Sequence, residues 1–146
     1  ITEDPNNLFY QIARIHALAA NAKYQESVDI LAEMHKNYPD NYAILAEYGD
    51  ALMDNKNPVK ATSIYLKGHR QFRHDIPICN KLARAQAMSN EKGYAYFTLA
   101  ECHILQGENQ DAVRKLKLAK TFVKNDKYLL ARIDAKLDEL TYKEEK

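Results

Sequence analysis

The sequence predicts an all-helical array of repeated helix pairs, and three observations lead there. The chain holds only 4 Gly and 4 Pro in 146 residues, too little punctuation for the hairpins and tight turns of a sheet. Ala, Leu, Lys, Glu and Gln dominate, and all are good helix formers. Shifting the chain along itself so that Ser27 falls on Ala61 (61 − 27 = 34) also sets Leu18 on Leu52, Asn21 on Asn55, Leu31 on Tyr65 and Tyr38 on Phe72. The same shift sets Leu45 on Cys79, Tyr48 on Leu82 and Gly49 on Ala83.

The offsets have a packing reason. A small residue in the first helix of a pair, Gly49, faces a small one in the second, Ala61, so the axes can approach. Leu45, Leu52 and Tyr65 fill the space above and below. One pair cannot bury its apolar stripe alone, so pairs must stack. A period of 34 with small residues at fixed positions is the tetratricopeptide (TPR) pattern. The expected fold is an all-α TPR-type solenoid of about eight antiparallel helices.

The register shifts near the end. Ala112 takes the part of Ala61, Leu116 that of Tyr65, Ala100 that of Gly49, Leu99 that of Tyr48 and Tyr96 that of Leu45. The offset is 51 (112 − 61), one repeat plus half a repeat. One extra helix has entered, and the helix near 91–106 closes one pair and opens the next. The expected layout is a single domain over 1–146, with repeats at about 8–41 and 42–75 and an irregular helix at 75–89. A repeat at about 93–126 and a closing helix at 127–144 complete it.

Local signals place the helices at roughly 5–20, 23–37, 40–54, 57–72, 75–89, 91–106, 109–124 and 127–144. Asp4-Pro5 starts the first with a cap and a Pro at the first helical position. Tyr38-Pro39-Asp40-Asn41 ends one pair and caps the next helix. Asn57-Pro58 and Asp75 open two more, and Ser89-Asn90 and Gly107 mark turns. The last helix places Leu129, Leu130, Ile133, Leu137 and Leu140 on one stripe with charges between. That stripe either seals the open end of the stack or forms a short dimerisation seam.

Composition and charge exclude several functions. About 46% apolar and 28% charged residues describe a globular chain. Lys and Arg number 21 against 20 Asp and Glu, a net +1, so nucleic acid is not expected as a partner. No apolar run is long enough to cross a bilayer. The chain begins at Ile1 rather than Met. We therefore expect a processed piece, and a missing targeting signal says little about the parent.

No catalytic constellation emerges. His16, His35, His69, His74 and His103 form no His-Glu-x-x-His zinc site, and His69 and His74 lie where a helix ends, where the dipole favours them. His103 falls at a position the repeat fills with packing. There is no Gly-rich phosphate loop and no Gly-x-Ser-x-Gly elbow. Two Cys are too few for a structural zinc site or a disulfide framework. No metal, cofactor or catalytic residue is expected in this chain.

Cys79 and Cys102 stand almost equally far along the chain from the turn near position 90 (90 − 79 = 11, 102 − 90 = 12), nearly level in an antiparallel hairpin. They read either as two small buried hydrophobes or as a disulfide of an oxidising compartment. Arg114, Lys117, Lys120 and Lys124 form a basic stripe on the seventh helix, opposite Ala112, Leu116, Ala119 and Val123. It reads as a solvated face, an acidic-partner surface or a headgroup contact.

Solenoids bind on their concave side, which the first helix of each pair lines. The repeat positions put Phe9, Ile12, His16, Ala19, Ala46, Glu47, Asp50, Met53, Asn80, Arg84, Tyr94 and Phe97 there. The surface suits an extended segment or helix of another protein. For Phe97, core and groove are equal readings. TPR modules that clamp chaperone carboxylate tails carry Lys and Asn at set concave positions. Here these hold Ile12, His16, Glu47, Pro77 and Lys81, and only Lys81 has the right charge.

The stretch Lys81 to Ala119, KLARAQAMSNEKGYAYFTLAECHILQGENQDAVRKLKLA, resembles the C-terminal TPR region of the BepA-type periplasmic zinc metalloproteases. The closing LLARIDAKLDEL at 129–140 is similar to that family's last helix, and YQESVDILAEMHKNYPDN at 24–41 fits its first repeat. The resemblance spans most of the chain. It implies a periplasmic location and an upstream zinc protease domain that supplies the catalysis. It also implies a chaperone-like recognition role in outer-membrane protein assembly and quality control, with the barrel-assembly machinery and the parent's own protease domain as partners. This chain lacks the zinc motif, so no catalytic residue carries over. The competing expectation is a stand-alone TPR adaptor in cell-envelope, secretion or pilus assembly.

Overall fold

A computed structural model describes residues 7–144 of the chain. Every regular element among them is helical: α1 (Leu8–Ala20), α2 (Tyr24–Asn37), α3 (Tyr42–Asp54), α4 (Pro58–Gln71), α5 (Ile76–Met88), α6 (Lys92–Leu105), α7 (Asn109–Thr121) and α8 (Lys127–Glu144). The fold is the expected all-α helical repeat. The chain divides into two compact units, Ile1–Ile64 and Tyr65–Lys146, and the division falls within α4.

The backbone carries the repeat more plainly than the side chains do. Ala22, Lys56 and Asn90 adopt positive φ of 57°, 59° and 62° in the turns α1–α2, α3–α4 and α5–α6. They are 34 apart (56 − 22 and 90 − 56). Gly107, with φ of 78°, follows 17 later in the α6–α7 turn (107 − 90). Each left-handed residue ends a helix in the same way. The amides of Lys23, Asn57, Glu91 and Glu108 reach back to the carbonyls of Leu18, Leu52, Gln86 and His103 at 2.8, 2.9, 2.9 and 2.8 Å. This closure satisfies carbonyls that a helix end leaves unpaired.

Helix starts obey the same period. Asn7, Asn41 and Asp75, 34 apart, cap α1, α3 and α5. Their side chains accept from the amides of Phe9, Ile44 and Ile78 at 2.8, 3.1 and 2.9 Å. Asp126 caps α8 by accepting from Leu129 at 2.9 Å, and its offset from Asp75 is again one and a half periods (126 − 75 = 51). Asn57 caps α4 ahead of Pro58 by accepting from Lys60 at 3.2 Å. Such caps each contribute about 1 kcal/mol.

Two expectations are refined by these bonds. Asp4-Pro5 lies outside the described residues, and the described first helix starts at Leu8 with Asn7 as its cap. Helix α5, set apart as irregular in the expected layout, keeps the period at both ends. Helix α6, expected to close one pair and open the next, follows a full-period step at its start and precedes a half-period step at its end.

In the first unit α1 packs on α2 and α2 on α3. Leu31, Ile44, Leu45 and Leu52 are at most 1% exposed, and each such burial stabilises by about 1.5–3 kcal/mol. Ser27 is buried too, and its hydroxyl donates to the Ile15 carbonyl at 3.2 Å. In the second unit α6 packs against α5, α7 and α8. The small residues there, Ala95, Ala100 and Ala112, are buried, and they extend the series Ser27–Ala61–Ala95 and Gly49–Ala83–Ala100. Helix α6 holds Ala95 from the first series and Ala100 from the second, so one helix plays both parts of a pair.

The closing helix behaves as an internal seal. Leu129, Ile133 and Leu140 are buried in the cluster of Phe97, Leu116 and Ala119. A Cβ at Gly93 of α6 would meet Leu129 Cδ2 at 3.3 Å, so the missing side chain lets α8 lie close.

Candidate partner-binding surface

The repeat period sets which positions of successive first helices correspond. Ile12, Ala46 and Asn80 are 34 apart, as are His16, Asp50 and Arg84. Each set sits on the first helices α1, α3 and α5.

In the first unit the structure brings part of the expected surface together. His16 Nε2 of α1 lies 3.0 Å from Glu47 Oε1 of α3, so the pair spans two successive first helices. Its members are 61% and 29% exposed, which leaves them open to a partner. Phe9 is 87% exposed. Ile12, Ala19, Ala46, Asp50 and Met53 are half-buried.

In the second unit Asn80 and Arg84 are exposed on α5. The expected aromatic part of the face is used elsewhere. Phe97 is 3% exposed within the core cluster, under the Arg132 guanidinium at 4.5 Å. Of the two readings of Phe97, core holds, because α8 covers α6 where a groove would have opened. Tyr94 is half-buried against the same cluster, and its hydroxyl donates to Asp126 Oδ2 at 2.7 Å.

That bond couples two ionisable groups. The Asp126 carboxylate, by accepting a hydrogen bond from the phenol, pushes Tyr94 up to about 12, with burial adding to it. Asp126 in turn is held below the usual carboxylate range, first by the Leu129 amide and then by the Tyr94 hydroxyl. Tyr94 is thus a strut between α6 and the cap of α8.

Cys79 and Cys102 are joined as a disulfide between α5 and α6, with Cα atoms 5.7 Å apart. Both are buried, at 0% and 2% exposure. Beside them Thr98 donates to Gln86 Oε1 at 2.6 Å, a buried polar pair that satisfies itself.

Two features escaped the sequence reading. A groove of about 450 Å³ runs between α1 and α2, with Leu8, Ile30 and Met34 on its lining and Arg14, Glu33 and Tyr38 beside them. Only the helix pairing could show it. The second is a cluster of His103, Glu108 and Asp111, whose ligand atoms lie within 4.8 Å of one another. These three could hold a divalent cation. Each is already engaged: His103 Nδ1 pairs with Glu108 Oε2 at 2.9 Å, and Asp111 pairs with Arg114. Their spacing is that of a helix end and the start of the next, where His and carboxylates also complement the dipoles.

Among the described residues no helix is long and apolar enough to cross a membrane. No protein-family model matches the chain, and no curated protein matches it.

Proposed function

We propose that the chain is a protein-recognition module, the TPR half of a periplasmic zinc metalloprotease that acts in outer-membrane protein assembly and quality control. In this reading the chain supplies recognition, and the zinc and the catalysis belong to a domain upstream. The partners are segments of β-barrel assembly machinery or its clients, together with the parent's own protease domain.

The observation that carries the reading is the His16–Glu47 pair at 3.0 Å. It marks one face shared by successive first helices, beside the half-buried Ile12, Asp50 and Met53. A face of mixed apolar and charged side chains on rigid helices suits an extended or helical peptide. The half-repeat at α6 and the closing α8 match the stretch that resembles the BepA-type family. The buried Cys79–Cys102 disulfide favours an oxidising compartment such as the periplasm.

The test is the mass and zinc content of the native protein, recovered from its source cells with an antibody to this chain. The reading expects a product several times larger than this chain that carries zinc. A metal-free product of this chain's size would leave a stand-alone adaptor.

A further inference from the structure

The seam between α6 and α7 carries a surface that the first-helix face does not use. Six basic and two acidic residues lie in the segment from Asn109 through Lys127, a surplus of four, although the whole chain is only +1. Positive charge is therefore concentrated on this segment. Asp111 takes up Arg114, and Asp134 takes up Lys120 at 2.9 Å. Among the described residues no carboxylate lies within ion-pair distance of Lys92, Lys115 or Lys117.

Two of these lysines sit against rings. Tyr96 of α6 and Phe122, at the end of α7, stack with centroids 5.5 Å apart and planes at 16°. The Lys92 ammonium lies 5.5 Å from the Phe122 centroid, and the Lys115 ammonium 5.9 Å from that of Tyr96. An ammonium over a ring face is attracted to it, and a ring neighbour limits where a flexible lysine tip can go. The result is an ordered row of ammonium, ring, ring, ammonium. Leu118 and Phe122 are 36% and 39% exposed. Leu118 lies one helical turn from Lys115 and from Phe122, so apolar contact area adjoins the charges.

We propose that this row is a second docking surface and that it takes an acidic peptide segment bearing aromatic or large apolar side chains. Carboxylates of the segment meet Lys92 and Lys115, and its apolar side chains pack on Leu118 and the Tyr96–Phe122 stack. A solvated face accounts for the lysines alone. It does not account for two exposed apolar side chains set among them. Rings and ammonium groups together favour a peptide over simple counterions, because affinity then comes from burial as well as charge. The proposal stands independently of the reading of the first-helix face.

The test uses the full chain and a fluorescent random copolymer of glutamate and tyrosine, with polyglutamate and phosphatidylglycerol vesicles as competitors. The charge-reversed variant is Lys92→Glu/Lys115→Glu. The control reverses two exposed lysines elsewhere, Lys36→Glu/Lys60→Glu. Circular dichroism establishes that both variants keep their helix. The expected result is anisotropy binding of the copolymer that weakens with salt, falls about ten-fold in the first variant and less than about two-fold in the control. Phe122→Ser should weaken the copolymer but leave polyglutamate unchanged. Equal losses in the two lysine variants, a wild type that prefers vesicles to copolymer, or no copolymer binding would each overturn the proposal.

Discussion

His16 Nε2 of α1 and Glu47 Oε1 of α3 lie 3.0 Å apart, and they bridge the first helices of two consecutive repeats. The pair is largely open to solvent at His16. Exposed ion pairs contribute about 0.2–1 kcal/mol, so its place in the account is recognition more than stability. Glu47→Gln should lower thermal stability by less than about 1 kcal/mol while weakening capture of partner segments. Chemical denaturation and a pull-down measured on the same variant check both halves.

Charges on two of the first helices offer a stronger version of that test. Asp50 and Arg84 occupy matching positions one period apart (84 − 50 = 34). Arg84→Glu together with Asp50→Lys should weaken partner capture and leave helical content unchanged. Full-strength capture by this variant would remove the first helices from the account.

The left-handed turn residues give a prediction of opposite signs. Ala22 and Lys56 carry side chains at φ of 57° and 59°, a conformation that costs non-glycine residues roughly 1–2 kcal/mol. Ala22→Gly and Lys56→Gly should therefore stabilise the chain by about 1 kcal/mol each. Gly107→Ala should destabilise it by a similar amount (about 1 kcal/mol), from backbone strain and not from crowding, because nothing lies within 4 Å of a Cβ placed there. Denaturant midpoints of the three variants decide it.

The disulfide joins two Cys at a sequence separation of 23. Holding that loop in the unfolded chain is worth about 3 kcal/mol. Cys79→Ser/Cys102→Ser should lose roughly that much and keep its helices, since the bridge links two helices already packed together. Both sulfurs are buried, so the native protein should show no reactive thiol until it is unfolded and reduced. A thiol titration in the folded state checks this.

The Tyr94–Asp126 bond predicts two limits on the pH scale. Tyr94 is raised from its ordinary 10.0 to about 12, so its neutral form is favoured on folding. Its stabilisation is complete below pH 10 and is lost as pH rises towards about 12. Asp126 is lowered. Its stabilisation is present above the ordinary carboxylate range and is lost as pH falls through the lowered value. Phenolate absorbance should show a late ionisation in the folded protein that is lost in Tyr94→Phe. That variant should also lose about 1 kcal/mol of stability at neutral pH.

The period and the half-repeat were legible because they rest on residue types that close packing demands. Ser27, Gly49, Ala61, Ala83, Ala100 and Ala112 announce where helices touch, and all six are buried. The turns were legible where they held Asn90 or Gly107. At Ala22 and Lys56 the breaks between helices were legible but the positive φ was not, because these residue types do not favour it and the repeating backbone bonds hold them there anyway. The disulfide was half legible, since counting from the turn set both Cys level without deciding whether they were joined.

The surface was harder to read. His16 and Glu47 were both placed on the face, but their pairing depends on how α1 and α3 meet through α2. Phe97 sat at a face position in the repeat, and only the packing of α8 buried it. Which ring is core in a repeat depends on whether another helix follows. The stacked Tyr96–Phe122 pair joins two different helices, beyond the reach of any pattern along one helix.

The most direct test of the central claim, that the first helices carry the recognition residues, is site-specific photocrosslinking in the cells that make the protein. A photoreactive residue is placed at Glu47 or Arg84 on the first helices, and at Ser63 or Lys67 on the exposed side of α4. The account predicts defined protein adducts from Glu47 and Arg84 and none of comparable yield from Ser63 and Lys67. Adducts of equal yield from all four positions, or from the α4 positions alone, would contradict it.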